Sequence, residues 1–353
     1  MHSNSFNTLV GKREYIAVDY FKFFCSLLVV TMHLYPFTSI NNTLSMFVNN
    51  CFCRIAVPFF FLASGFFISN KITDKNNALA YLKRLIKLYL IYTIIYIPQK
   101  LITLHYSGEP FWPSVLLFVR KFFFYGSYVQ LWYIAALIVS AALIYLFLNK
   151  LRLKPKTVLI ITAVLHIVGI LISTYREIFN SIPFIKTVID LYYKIFFNIE
   201  NGIFFGLFYT FAGVYIGMNK NSIKKRKYYL YALIGLAVMP VETYLTYTYL
   251  DNASMRVFFS TAVTSVLIFL AVAFTNIPKR YAHSGVYFRR LSALIYFWHM
   301  FISYYLNVVF EYFSIQFNSL ITTIIVTLLT AAFSAVIISL SKHKKFAWLH
   351  NLY

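Results

Sequence analysis

Acidic side chains are scarce in this chain. Its 353 residues hold 10 Asp and Glu against 32 Lys and Arg, and only 12% of residues are charged. Soluble domains average about 25% charged residues, so no soluble reading competes. Cysteine is nearly absent as well: Cys25, Cys51 and Cys53 are the three present. Cys51 and Cys53 sit at alternate positions, which point apart on a helix and argue against a disulfide. No CxxC or Cys/His spacing of a metal site occurs, so no metal is expected and the three thiols read as packing residues. Repeats, low-complexity tracts and polar stretches long enough for a sizeable soluble domain are also missing. The net charge of +22 could suggest nucleic acid, but the basic residues lie in short loops between apolar runs. The expected partner is the lipid bilayer with its anionic inner leaflet, with no nucleic acid involved.

What the chain has is apolar length. Hydrophobic residues make up 60% of it. Runs near spanning length fall at about 16–38, 48–70, 79–103, 127–149, 157–175, 199–218, 228–250, 256–276, 290–311 and 316–341. They predict an all-α polytopic membrane protein with about ten transmembrane helices. The first run carries Asp19 and Lys22 and is long enough to span, so it reads as an uncleaved first helix. Ten spans put both termini on one side. That side carries 23 of the 32 basic residues and the other side seven, with Lys22 and Arg54 inside spans. By the positive-inside rule both termini are cytoplasmic. Residues 1–353 are expected to form a single membrane domain, with cytoplasmic ends at about 1–15 and 342–353. Residues 110–125, with Trp112, Phe122, Phe123 and Phe124 beside Arg120 and Lys121, read as an interfacial segment. Residues 176–198 read as the longest outer loop.

Ionisable and strongly polar groups inside such runs are costly and usually serve a site. Lys22 and His33 are eleven residues apart, about three helical turns, so they share one face about 16 Å apart. Asp19 precedes Lys22 by three residues and lies within pairing reach. His33 is the candidate base, because imidazole alone titrates near neutral pH without a large shift. Arg54 lies four residues before Pro58, which removes a backbone donor and loosens the helix. Ser64 and Gly65 permit close approach of a helix or a ligand. Gln130 and Trp132 open the fourth run, and Glu200 and Asn201 the sixth. Glu242 is a mid-span carboxylate, and His299 a histidine on an aromatic helix. The remaining candidates are Lys83, Arg84 and Lys87, a cationic group at the inner start of the third run suited to phosphates.

Taken together these motifs resemble the acyltransferase-3 family of integral membrane acyltransferases. Lys22 and His33 hold the places of that family's Arg and His on the first helix. The stretches Arg54…Val57-Pro58-Phe59-Phe60-Phe61…Ser64-Gly65, Leu131-Trp132-Tyr133 and Tyr296…His299 match as well. Within the family, Val18-Asp19-Tyr20-Phe21 and Asn201-Gly202-Ile203-Phe204-Phe205 are most similar to the membrane module of vancomycin-resistance serine racemases. Lys22 replaces the family's arginine and loses its bidentate fork. Gln130 stands where relatives often have a histidine. The resemblance implies O-acetyltransferase-type chemistry in a bacterial cytoplasmic membrane. An acyl group, acetyl in the first instance, would pass from a cytosolic acetyl-CoA or other acyl-CoA to a hydroxyl of a cell-envelope glycan or lipid-linked precursor. His33, Lys22, Asp19 and Arg54 would then be catalytic. Lys83, Arg84 and Lys87 would bind the coenzyme, and Ser64, Gln130, Trp132, Glu200, Asn201, Glu242 and His299 the substrate. No pyridoxal phosphate is expected, since no racemase domain is recognised. The alternative is a transport or binding module for a small polar solute such as serine.

Overall fold

The computed structural model describes residues 15–223, 227–250 and 257–353. Lys12, Arg13, Lys224, Lys225, Arg226 and Arg256, all counted in the charge argument, lie outside the described residues. Thirteen helices occur among those described, and no strand: α1 Ile16–Leu34, α2 Asn42–Asn50, α3 Ala56–Ile68, α4 Lys75–Ser107, α5 Phe111–Phe124, α6 Trp132–Tyr145, α7 Pro155–Ser173, α8 Pro183–Phe196, α9 Gly206–Met218, α10 Tyr228–Tyr249, α11 Phe259–Ala273, α12 Ala282–Tyr312 and α13 Ser319–Leu340. Among the described residues eight stretches are long and apolar enough to cross a membrane, with Asn42–Ile68 counted as one. The two shorter apolar helices, Gly206–Met218 and Phe259–Ala273, fall at the remaining two apolar runs, so every run of the sequence reading carries a helix.

The chain divides into two compact units. The first comprises residues 1–60, 225–237 and 263–353. Its centre is the pairing of α1 with α12. Tyr20 OH lies 2.6 Å from Ser284 Oγ, Ser292 Oγ donates to the Lys22 carbonyl at 2.8 Å, and the His33 and His299 rings meet further along. Contacts that advance together on both helices mean that the two run parallel. The ten-span reading expects the same of its first and ninth spans. Helix α13 starts where α1 ends, with Ser319 Oγ bonded to the Pro36 carbonyl at 2.9 Å, and so runs back along it. Pro58 does not break a helix here. It falls in the first turn of α3, where the missing donor would have had no helical partner. Arg54 sits just before, in the 3-10 turn Phe52–Ile55.

The second unit comprises residues 61–224 and 238–262. Helix α9 is buried on nearly every side, as expected of a helix apolar all round. Leu207, Phe211 and Val214 share a core with Ile68, Ile72, Ile144 and Val158. This helix begins later than the apolar run did. Asn201 turns the chain first: its Oδ1 accepts from Ile203 N at 2.9 Å and Phe204 N at 3.1 Å. Residues 176–198 are not the expected loop. They hold the 3-10 turn Arg176–Phe179 and helix α8, which Pro183 starts. Phe184, Val188, Leu191 and Ile195 form an exposed stripe on α8, and Trp112, Leu116, Val119 and Phe123 one on α5. Both helices have the apolar face of an interfacial helix.

Glycines set the closest approach in this unit. A Cβ built on Gly65 would lie 1.9 Å from the Thr210 carbonyl oxygen, and one on Gly213 2.0 Å from that of Leu62. Alanine ordinarily favours a helix over glycine by about 1 kcal/mol. Here the overlap is with backbone, so α3 and α9 would have to separate, and overpacking costs about 1–3 kcal/mol. Gly65→Ala and Gly213→Ala should therefore each lower the thermal unfolding temperature in detergent by a few degrees. A rise would mean that helix propensity, not the backbone contact, governs these sites.

Candidate functional site

Helix α1 is continuous through Asp19, Lys22 and His33, so the shared face expected from their spacing exists. Asp19 is fully buried and Lys22 and His33 are half-buried. Gly285 of α12 faces this stretch of α1: a Cβ there would stand 3.1 Å from Ile16 Cγ2, a tight approach, and 3.7 Å from Asp19 Oδ2, an ordinary contact. Two heptads on, His33 meets His299, with ring centroids 5.2 Å apart and planes at 36°. The Asp19–Gly285 and His33–His299 steps match because both helices advance by the same number of residues.

His299 is completely buried, and its Nδ1 lies 3.1 Å from the Ile295 carbonyl. A carbonyl only accepts, so Nδ1 carries the proton there. Neutral imidazole then offers its lone pair at Nε2. That nitrogen is buried and has no hydrogen-bond partner among the described residues. An accessible imidazole thus stands against a second one whose tautomer is fixed by backbone. Arg54 is half-buried, and its guanidinium donates to Asn50 Oδ1 at 3.3 Å.

The other expected residues lie in the second unit. Ser64 Oγ is 3.0 Å from Tyr133 OH. Phe61 packs against the Trp132, Tyr133 and Phe205 rings, so α3, α6 and the start of α9 bring Ser64, Trp132 and the Asn201 turn into one neighbourhood. Gln130 is fully buried beside Leu131. Glu200 accepts from Asn198 Nδ2 at 3.0 Å, and Asn201 Nδ2 donates to Tyr192 OH at 2.5 Å. Lys83, Arg84 and Lys87 are all exposed on α4. Among the described residues no group of three or more His, Cys, Asp or Glu could hold a metal ion.

Glu242 has a definite structural task. Its carboxylate accepts from Phe259 N at 2.9 Å and Ser260 N at 2.7 Å, the free donors that open α11. Tyr175 OH donates to it at 2.6 Å. Burial first, then the hydrogen bond and charge of Glu242, raise the Tyr175 phenol above its ordinary value, so it remains a donor at neutral pH.

His166 was not among the candidates singled out from the sequence. It lies well inside α7, buried, with Nδ1 2.8 Å from the Phe204 carbonyl and its ring stacked on Phe208 at 4.8 Å. Its Nε2 and the Tyr209 hydroxyl are buried without hydrogen-bond partners among the described residues, and the two rings are 4.9 Å apart. The signal was available: a lone histidine in the middle of the 157–175 run is as costly as one in the first.

The model of the acyltransferase-3 family, described as an acyltransferase domain, matches residues 15–339. The chain belongs to that family. An amino-acid racemase of Enterococcus faecalis is 27% identical over 230 residues, 65% of this chain and 32% of the relative. A second amino-acid racemase of that organism is 23% identical over 336 residues, 92% of this chain and 46% of the relative. A serine/alanine racemase of Enterococcus gallinarum is 24% identical over 350 residues, 95% of this chain and 47% of the relative. The chain therefore spans about half the length, or less, of these curated relatives. No solved structure matches it. The family and the eight long apolar helices make this a multi-pass membrane protein with an acyltransferase domain.

The Glu242 cap yields a test that separates structure from substrate binding. Glu242→Gln removes the charge at the α11 start and one good acceptor, at a cost of about 1–2 kcal/mol. Tyr175→Phe should cost less. Because the two share one hydrogen bond, the double variant should lose less than the sum of the singles in thermal unfolding. Additive losses would show that Tyr175 and Glu242 act separately.

Proposed function

We propose that the chain transfers an acyl group, acetyl in the simplest case, from a cytosolic acyl-CoA to a hydroxyl of an envelope glycan or lipid-linked precursor. The observation that carries the reading is the His33–His299 contact in a chain of this family. His33, the more accessible of the two, takes the proton of the acceptor hydroxyl. The oxygen then forms a bond to the thioester carbonyl carbon, the C–S bond breaks, and the leaving thiolate takes the proton back from the imidazolium. His299 holds its neighbour's ring and offers an unprotonated Nε2 as a second station for the proton. Asp19 and Lys22 place charge on the same face of α1, and Arg54 is a cation available to the developing oxyanion. Ser64, Gln130, Trp132, Glu200 and Asn201 are proposed to contact the acceptor. Glu242 is proposed to contact it as well, beside the structural part that its hydrogen bonds to Phe259 N and Ser260 N give it.

General base catalysis contributes about 10²–10⁴ in rate. His33→Gln keeps size and hydrogen bonding but cannot act as that base. The variant should lose transfer by that factor while expression and donor binding persist. Transfer at the parent rate would remove His33 from the mechanism.

The donor is proposed to bind through its phosphates to Lys83, Arg84 and Lys87, on the cytoplasmic side that also holds both termini. Three exposed cations within five residues suit a polyphosphate. Replacing all three with Gln should weaken binding of labelled acyl-CoA by at least tenfold, since each charged hydrogen bond is worth about 1.5–3 kcal/mol. Sealed inverted vesicles should bind the donor and right-side-out vesicles should not. Equal binding in both orientations would overturn the topology, and unchanged affinity in the triple variant would overturn the phosphate site.

The names of the relatives favour one second reading, a module that binds or moves an amino acid such as serine. Serine uptake into proteoliposomes without an acyl donor, undiminished in the His33→Gln variant, would select it.

A further inference from the structure

A cavity of about 280 Å³ opens in the second unit where the end of α4, the helix α5 and the turn at residues 125–129 meet. Its walls include Lys100, Glu109, Ser114, Phe118, Lys121 and Tyr128. The frame is firmly held. Tyr89 OH donates to the Phe122 carbonyl at 2.8 Å and accepts from Ser127 N at 2.9 Å. Thr93 Oγ1 and Ser127 Oγ are 2.7 Å apart, and Tyr96 stacks on Tyr128 at 4.4 Å. Gly126 has φ 132°, and a Cβ there would lie 2.6 Å from Trp132 N, so the turn keeps its shape only with glycine.

Two ammonium groups line this space with one carboxylate. Neither Lys100 nor Lys121 forms an ion pair among the described residues, and Glu109 accepts instead from Ser114 Oγ at 3.2 Å. Burial and then the nearby Lys100 charge lower the Lys121 pKa, and Glu109 opposes them. The two cations therefore feel each other in a partly dehydrated place. The adjacent Arg120 is already engaged, over the Phe197 ring at 3.9 Å and with the Lys194 and Ile195 carbonyls near the end of α8.

A net positive cavity calls for an anion. Paired lysines act as point charges without a preferred plane, which suits a tetrahedral phosphate better than a flat carboxylate. The volume is near the lower end for ligand pockets, about 300–1,000 Å³, and larger than a bare phosphate requires. The opposite face of α5 decides the source. Trp112, Leu116, Val119 and Phe123 are exposed there, which sets the pocket beside an apolar surface of the kind that lies in a membrane interface.

We propose that this cavity binds the phosphate group of an anionic membrane lipid, with Lys100 and Lys121 on the phosphate and Glu109 and Ser114 receiving headgroup hydroxyls. Binding requires no acyl donor, so its outcome is independent of the transferase reading. The test titrates the purified full chain in neutral detergent with short-chain phosphatidylglycerol, short-chain phosphatidylcholine and inorganic phosphate, read by calorimetry. Phosphatidylglycerol should bind saturably, and phosphatidylcholine should not. The Lys100→Gln/Lys121→Gln variant should bind phosphatidylglycerol at least about tenfold more weakly. Glu109→Gln should bind it more tightly, a gain that misfolding cannot produce. Equal affinity for the two lipids, or unchanged affinity in the lysine variant, would overturn the site. Inorganic phosphate binding as tightly as the lipid would overturn the lipid source in favour of a soluble phosphate.

Discussion

Hydrocarbon supplies no hydrogen bonds, so every backbone N–H and C=O inside a membrane must find its partner within the protein. That constraint reaches beyond the helices to the side chains. Thr31, Ser140, Thr210, Thr323, Thr327 and Thr330 each return a hydroxyl proton to the carbonyl four residues earlier in their own helix. These residues look polar in the sequence and are spent on the backbone. Glu242 and Asn201 belong to the same account. One covers the open donors of α11, and the other covers two donors of the turn before α9. In a membrane chain, a conspicuous polar residue therefore has two competing employments, and hydrogen-bond geometry tells them apart.

Once backbone groups are satisfied inside each helix, association rests on close packing rather than on a hydrophobic drive, because lipid is as apolar as leucine. The glycines of the second unit show how close the packing comes. Gly65, Gly213 and Gly217 bring α3 and α9 together so tightly that carbonyl oxygens or a serine hydroxyl occupy the space of a Cβ. The first unit relies more on aromatic rings: Tyr20 and Phe23 both pack on Phe288, and Trp298 on Phe333. Gly285 is its exception, and it stands beside the one buried aspartate of α1.

Hydropathy made the all-α membrane class and the positions of the apolar helices legible, and the motifs in the first half of the chain made the family legible. Both depend on composition along one dimension. What escaped the sequence depends on partners distant in it. The 176–198 stretch read as a loop because Arg176, Glu177, Lys186, Asp190 and Lys194 break its hydropathy. An interfacial helix needs apolar residues only on one face, and a spanning-length window averages that face away. Pro58 read as a helix interruption because the 48–70 run looks like one helix by hydropathy; the 3-10 turn Phe52–Ile55 within it holds Arg54 but no glycine or proline to mark a break. His299 was visible as a candidate, but its meeting with His33 was not, since 266 residues of chain separate them and only the parallel pairing of α1 and α12 joins them.

The unequal burial of the two imidazoles bears on how such a pair could work. A general base must reach both its substrate and a route for the proton it collects. His33 is half-buried and has the access, whereas His299 is sealed and bound to its own helix through Nδ1. Two fully buried imidazoles would hold their geometry and exclude the substrate. Two exposed ones would admit it and lose the fixed tautomer. In the proposed mechanism, one of each would keep a proton acceptor in place behind a base that the substrate can meet. Their carrier helices must not slip, because a shift of one residue turns a helix by about 100° and moves His299 off that face. Asp19 and Gly285 face each other two heptads away on the same seam, so the two helices keep one register from there to the paired rings.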